Sequence, residues 1–192
     1  MQAEVLDNPH SVLDLIVRRR SLRAYSDAPL TATQINTLFE AARWAPSSVN
    51  EQPWQYIYAV RGDDLWDGIF NTLNEGNRTW AKEAPLLVVS LARTIFLRNG
   101  RPNPSAMYDL GGANAILSLQ ATAMGLNVHQ MGGYDHARLR QVLRVPSGVE
   151  LGVVMAIGFP GDADQLPEPL RERERMPRVR RPVSDFVMDR PY

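Results

Sequence analysis

Two short, almost unbroken apolar runs, residues 85–92 and 151–159, constrain this chain more than any other feature of its sequence. Each falls well short of the roughly 20 residues a membrane-spanning helix needs. Each also lacks the period-two alternation of a strand with one wet face. A strand covered on both faces reads this way. Covering a sheet on both sides takes amphipathic helices, so the runs predict a layered α+β fold. Thr31 followed by Gln34 is a capping box, and it opens a helix with Ile35, Leu38, Phe39 and Ala42 on one side. Ser11 can cap an earlier helix carrying Val12, Leu13, Ile16 and Val17, and Asp63 or Asp64 a later one through Leu65, Trp66, Ile69 and Leu73. The longest helix starts at Ser105, is lined with alanines and runs about 20 residues to Gly125, at the position past a helix end where glycine is favoured. Residues 54–60 and 126–131 read as further strands, residues 135–143 as a short helix, and the polar residues 93–104 as an irregular, mobile loop.

A chain of 192 residues is one domain by default. It has no cysteine, which excludes disulfides, thiolate metal sites and cysteine nucleophiles. His10, His129 and His136 are too scattered for a zinc site of known spacing. Acidic and basic side chains number 21 each, and that neutrality counts against nucleic-acid binding. With no leader and no apolar run of spanning length, the expected protein is soluble and cytoplasmic, away from membranes. There is no GxGxxG fingerprint, Walker lysine, HExxH motif or Ser–His–Asp order. His129, in an apolar stretch, reads as a hydrogen-bonded core histidine, and Trp44, Trp54, Trp66 and Trp80 as core or interface residues.

From residue 160 the character changes. Six of the 14 prolines lie at or beyond that point, and charge alternates through residues 171–175. Such a segment cannot build its own core. It is either disordered or an arm laid over something else, and its apolar end (Val183, Phe186, Val187) favours the arm. The organisation expected is a single domain with a core over residues 1–160 and an arm over residues 161–192.

Four clusters carry possible chemistry. Arg18-Arg19-Arg20-Ser21-Leu22-Arg23 gathers guanidinium forks and a hydroxyl suited to phosphate, although cations at a helix C-terminus are favoured anyway. All basic residues except Lys82 are arginine, so position must carry the argument rather than residue type. In Pro46-Ser47-Ser48-Val49-Asn50-Glu51-Gln52-Pro53-Trp54, two hydroxyls and two amides can bond a heteroaromatic ring or a sugar-like chain, or satisfy their own turn. Gly132-Gly133, between a strand and a helix, allows close backbone approach to a ligand, or forms a tight turn capped by Asp135. Arg178 and Arg180, at i and i+2 of an extended segment, can grip one anion together, or form part of a solubilising tail.

Taken in order, these clusters resemble the nitroreductase family of FMN-dependent oxidoreductases. The resemblance covers nearly the whole chain, adding Ala84-Pro85, Asp109-Leu110-Gly111-Gly112-Ala113, Met124-Gly125-Leu126 and Ile157-Gly158-Phe159-Pro160 to the four clusters. It implies a central mixed sheet flanked by helices, in a homodimer with flavins at the interface and exchanged C-terminal arms. By position it also implies that Arg19, Arg20 and Ser21 hold the FMN phosphate, with Arg178 and Arg180 closing on it. Arg23 would lie beside the flavin N1–C2=O edge, where a cation stabilises charge on the reduced ring. Pro46, Ser47, Ser48 and Asn50 would reach the flavin from the partner subunit. Gly132 and Gly133 would donate to N5 and O4, and Asn77 would bond the pyrimidine edge. Trp80 stands where some members have a lysine. No catalytic side chain is implied. Hydride would pass from NADH or NADPH through the flavin to a small organic acceptor (nitroaromatic, quinone or enone) by a ping-pong mechanism. Residues 66–80 and 93–104 would shape substrate choice. The alternative is a flavin-binding storage or sensing protein without efficient turnover.

Overall fold

In the computed structural model, which describes residues 11–191 and so leaves His10 outside, the strands are β1 (Trp54–Val60), β2 (Leu86–Arg93), β3 (Asn127–Met131) and β4 (Val149–Gly158). They form one sheet in the order β1-β2-β4-β3 with every neighbouring pair antiparallel. The sheet of a single chain is therefore antiparallel where a mixed sheet was expected. A parallel neighbour would have to come from outside the described residues.

The two apolar runs become β2 and β4, the central strands, and their alternation sorts two cores. Leu86 and Val88 of β2 join Met155 and Ile157 of β4 on one face. Leu87, Val89 and Leu91 join Val154 and Ala156 on the other. The first face is covered by α2 (Ala32–Arg43) and α5 (Ala106–Ala123), which contribute Ile35, Leu38, Ala42, Ala113, Leu117 and Ala121. The second is covered by α3 (Asp64–Phe70), α4 (Glu75–Ala81) and α6 (His136–Val142), through Trp66, Ile69, Trp80 and Leu139. Both faces are dry, which is why neither run alternates.

Local signals set some boundaries, although neither Asp63 before α3 nor Ser105 before α5 makes a side-chain cap bond. The Thr31 hydroxyl accepts from the Gln34 N–H while the Gln34 side chain accepts from the Thr31 N–H, the reciprocal bonds of a capping box. Asp135 caps α6 through the Arg138 N–H. Gly125 adopts φ +72 just past α5, a left-handed conformation that costs a residue with a Cβ. Ser11 does not cap the first helix. That helix, α1 (Asp14–Arg18), begins after Leu13 and has no side-chain cap. Residues 93–104 close on themselves rather than forming an open loop. Ile95 bridges Pro102, the Phe96 N–H donates to Arg101 O at 2.8 Å, and the Asn103 N–H to Thr94 O at 2.8 Å. Trp66 and Trp80, which bound the other segment expected to shape substrate choice, are both buried in the core.

The arm starts on its own chain. Pro160 bridges Tyr25, and the Gly161 N–H donates to Ala24 O at 2.9 Å. A Cβ on Gly161 would lie 2.5 Å from the main-chain carbon and oxygen of Tyr25, so only glycine permits this approach. Leu166 enters the core, and α7 (Leu170–Arg175) packs beside residues 20–24. Beyond it Val183, Phe186, Val187 and Met188 are exposed. Among the described residues, no helix is long and apolar enough to cross a membrane.

Candidate functional site

Helix α1 ends at Arg18, which turns to solvent and pairs with Asp14 at 2.5 Å. For that residue the dipole reading of a basic helix end is sufficient. At Arg19 the backbone leaves helical geometry, and residues 19–24 run alongside α7. Arg19, Arg20, Ser21, Arg23, Arg178 and Arg180 then line one cavity of about 410 Å³. Residues 159 positions apart are thus brought together, Arg178 donating to Arg19 O at 2.7 Å.

The arginines divide the work. Arg178 also donates to Val17 O, so its guanidinium serves the orphaned carbonyls at the C-terminal end of α1. Arg20 donates to Glu174 O at 3.1 Å and Met176 O at 3.2 Å, fastening the arm. Among the described residues only Arg178 of the two is drawn onto the helix end, while both line the cavity. Arg19 differs again. Its guanidinium reaches Ser21 Oγ at 3.3 Å, and its pKa is lowered by burial and then by the neighbouring Arg180 guanidinium. A desolvated cation facing a like charge is relieved by an anion, and guanidinium forks and a hydroxyl suit phosphate.

On their other side Arg19 and Ser21 line a second cavity, of about 490 Å³, with Ile16, Ala115, Ser118, Leu119, Val128 and Gln130. This groove lies between α5 and β3, and β3 leads directly to Gly132-Gly133. Among the described residues the Gly133 carbonyl accepts twice, from the Asn74 N–H at 3.0 Å and Asn77 Nδ2 at 3.0 Å, while neither glycine N–H donates to the protein. A Cβ on Gly133 would fall 2.2 Å from Asn74 Nδ2 and 3.1 Å from Asn77 Nδ2. Asn74 is held as the cap of α4, so this approach also requires glycine. Asn77 therefore lies beside the glycine pair, with its amide nitrogen engaged there. Trp80 faces inward, its ring centroid 4.5 Å from that of His129.

His129 has the expected core role, with Nδ1 3.1 Å from Leu22 O. Burial, and after it the Arg23 guanidinium, lowers its pKa from the usual 6.5. The unfolded chain therefore takes up this proton at a higher pH than the folded one. Stability contributed by neutral His129 is present above the unfolded pKa, declines as pH falls through it, and levels off below the folded pKa. Thermal unfolding at about pH 7.5 and about pH 5.5 should show a drop that is smaller in His129→Asn than in the unmodified protein. Equal drops would contradict this.

Pro46, Ser47, Ser48 and Asn50 stand apart, at the N-terminal end of α5, and none of them lines the two cavities. Their loop is strained, with Val49, Asn50 and Gln52 at φ +50, +56 and +49. For β-branched Val49 this is a genuine outlier, of the kind that costs about 1–3 kcal/mol and gathers at functional positions. Buried Asp109 holds the loop by accepting from the Ser48 N–H at 3.1 Å, and Glu51 accepts from the Leu97 N–H at 2.7 Å. Exposed Trp44, Val49, Leu97 and Tyr108 surround it, Tyr108 being 85% exposed.

Asp109, Asn74 and Glu174 support the site in roles that the residue patterns alone did not assign. Glu174 sits in a run of alternating charge that resembles a solvated face. The signal was the i, i+4 spacing of Leu170 and Glu174, which puts both on the inward face of α7.

The chain matches the family model described as "Nitroreductase family" over residues 16–78 and 63–159. An Archaeoglobus fulgidus protein named "Putative NADH dehydrogenase/NAD(P)H nitroreductase" is 27% identical over 78% of this chain and 86% of its own length. A crystal structure described as an oxidoreductase containing FMN is 33% identical, with a TM-score of 0.91 over 96% of this chain and 94% of that one. A nitroreductase family protein from Streptococcus pneumoniae shares the fold at 16% identity, with a TM-score of 0.76 over 93% and 99%. The family model covers the basic segment, the strained loop, the glycine pair and all four strands of the sheet, and this chain belongs to the nitroreductase family.

Proposed function

We propose that the chain is an FMN-dependent oxidoreductase that takes hydride from NADH or NADPH and passes it by a ping-pong mechanism to a small nitroaromatic, quinone or enone acceptor. The observation that carries this reading is the groove along β3. The groove begins at half-buried Arg19, which faces the like charge of Arg180, and at the Ser21 hydroxyl, and it runs along Val128 and Gln130 of β3; that strand continues into two glycines whose N–H groups, among the described residues, donate to no protein acceptor. Those ends match the two polar ends of FMN, a phosphate and a ring edge that accepts hydrogen bonds.

Bound there, the flavin would supply hydride acceptance and return, chemistry that no side chain provides. The protein's part is placement and polarisation. Arg19, Ser21 and Arg180 hold the phosphate, while Arg20 and Arg178 fix the walls that carry them. Arg23 lies at the same cavity with a quarter of its side chain exposed, and presents positive charge to the pyrimidine edge. Gly132 and Gly133 donate to N5 and O4, and Asn74 and Asn77 hold that turn in place. The loop of Pro46, Ser47, Ser48 and Asn50 is remote from the groove of its own chain, so it serves the groove of a second copy. A homodimer then completes both sites, and its interface covers the exposed side chains around the loop.

The test is the visible spectrum of the purified protein, followed by NAD(P)H in the absence of oxygen. A flavin spectrum that bleaches, with FMN released on denaturation, is the expected result. A colourless protein that takes up no added FMN overturns the reading.

A further inference from the structure

Glu174 is buried, on an arm helix whose other charged side chains largely face solvent. Its Oε1 accepts from the Arg23 N–H at 2.6 Å and the Ala24 N–H at 3.0 Å, and its Oε2 lies 3.6 Å from the Arg23 guanidinium. The same turn of α7 is fastened from the other side, since Arg20 donates to the Glu174 carbonyl at 3.1 Å. A carboxylate thus stands among Arg19, Arg20, Arg23, Arg178 and Arg180, which line the same cavity. An anion there opposes the cavity's preference for a phosphate, so phosphate binding alone does not account for it. Its contacts converge instead on Arg23, through both the main chain and the guanidinium.

We infer that Glu174 is a positioning residue that sets the reduction potential of the site by fixing Arg23 and offsetting part of its charge. The inference rests on the proposed reading that FMN binds with its pyrimidine edge at Arg23. A reduced flavin carries more negative charge on that edge than an oxidised one, so a fully unbalanced Arg23 would favour the reduced form more strongly. Glu174 holds the potential below that limit, which keeps the reduced site able to hand hydride onward. It also ties the potential to the arm, because α7 carries the carboxylate.

The test is the midpoint potential of bound FMN in the unmodified protein and in Glu174→Gln. The amide oxygen of glutamine can still accept from both N–H groups, so the substitution removes the charge while keeping the main-chain clamp. The reduced-to-oxidised ratio at fixed potential should rise about tenfold, equivalent to about +30 mV for a two-electron couple. Glu172→Gln makes the same change in net charge on the exposed side of α7 and should leave the potential in place. Combining Glu174→Gln with Arg23→Gln should abolish the rise, because the effect runs through Arg23. Glu174→Asp, which draws the carboxylate back by one methylene, should give a smaller rise in the same direction, and it answers the question if the glutamine variant does not fold.

A Glu174 that only holds the arm would lower the melting temperature or FMN affinity without raising the potential, and that result overturns the inference. An equal rise in Glu172→Gln overturns it too. Failure of the unmodified protein to take up FMN overturns the flavin reading itself. Uptake with an unmoved midpoint in the Glu174 variants overturns this inference alone.

Discussion

Replacing Arg19 and Ser21 together with alanine is expected to weaken FMN binding by at least a hundredfold while leaving the fold intact. The magnitude follows from the two bonds to phosphate that the alanines cannot make. Hydrogen bonds to a charged group are worth about 1.5–3 kcal/mol each, so the pair amounts to about 3–6 kcal/mol, or two to four decades in Kd. The fold should survive because, among the described residues, the Arg19 side chain makes one long hydrogen bond, to Ser21 itself. The flavin-free variant could even be slightly more stable than the flavin-free parent. Burial and the facing Arg180 guanidinium already disfavour the charged form of Arg19, so its removal relieves a cost that only a bound anion offsets. Titration of flavin-free protein with FMN, followed by fluorescence quenching, measures the affinity, and thermal unfolding without flavin measures the fold. Unchanged FMN affinity would remove the phosphate from this pocket. Loss of affinity with a matching loss of flavin-free stability would show that the pair supports the fold instead.

The sheet was legible in the sequence because its central strands are dry on both faces, and residues 54–60 match β1 residue for residue. The capping box at Thr31 and the glycine after α5 were legible for the same kind of reason, since each requires one residue type at one place. Parallel or antiparallel pairing was not, because a strand buried on both faces shows the same apolar run in either direction. Of the site, the glycine pair and the basic segment could be named from spacing and resemblance, and the fold brings Arg178 and Arg180 to that segment. The partition among the arginines could not be read. Twenty identical guanidinium groups differ only in what the fold places beside them, and the carbonyls that engage Arg20 and Arg178 belong to distant segments. The alternating charges of α7 hid Glu174 because a single inward turn of six residues carries little periodicity.

Two truncations should separate the two tasks of the C-terminal segment. Ending the chain after Gly161 removes Leu166 from the core, α7 with its clamp on residues 20–24, and both Arg178 and Arg180. The expected product is flavin-free at any protein concentration and melts well below the full chain. Ending the chain after Pro182 leaves all of those interactions in place and removes only residues 183–192, including exposed Val183, Phe186, Val187 and Met188. A large apolar side chain is worth about 1.5–3 kcal/mol when fully buried. If the partner covers even half of this group, its loss weakens the dimer by about a hundredfold or more. Because the loop of Ser47, Ser48 and Asn50 is remote from its own groove, flavin should then be lost on dilution, in step with dissociation, and retained at high protein concentration. Sedimentation across a dilution series, recorded at flavin and protein wavelengths together, reads both quantities in one experiment. A shorter chain that stays dimeric and yellow throughout the series would mean that the apolar end rests on nothing, and the dimer would then have to be held by α5 and the strained loop alone. Flavin that stays bound to a dissociated protomer would mean that one chain completes the site, and the loop would lose its proposed role.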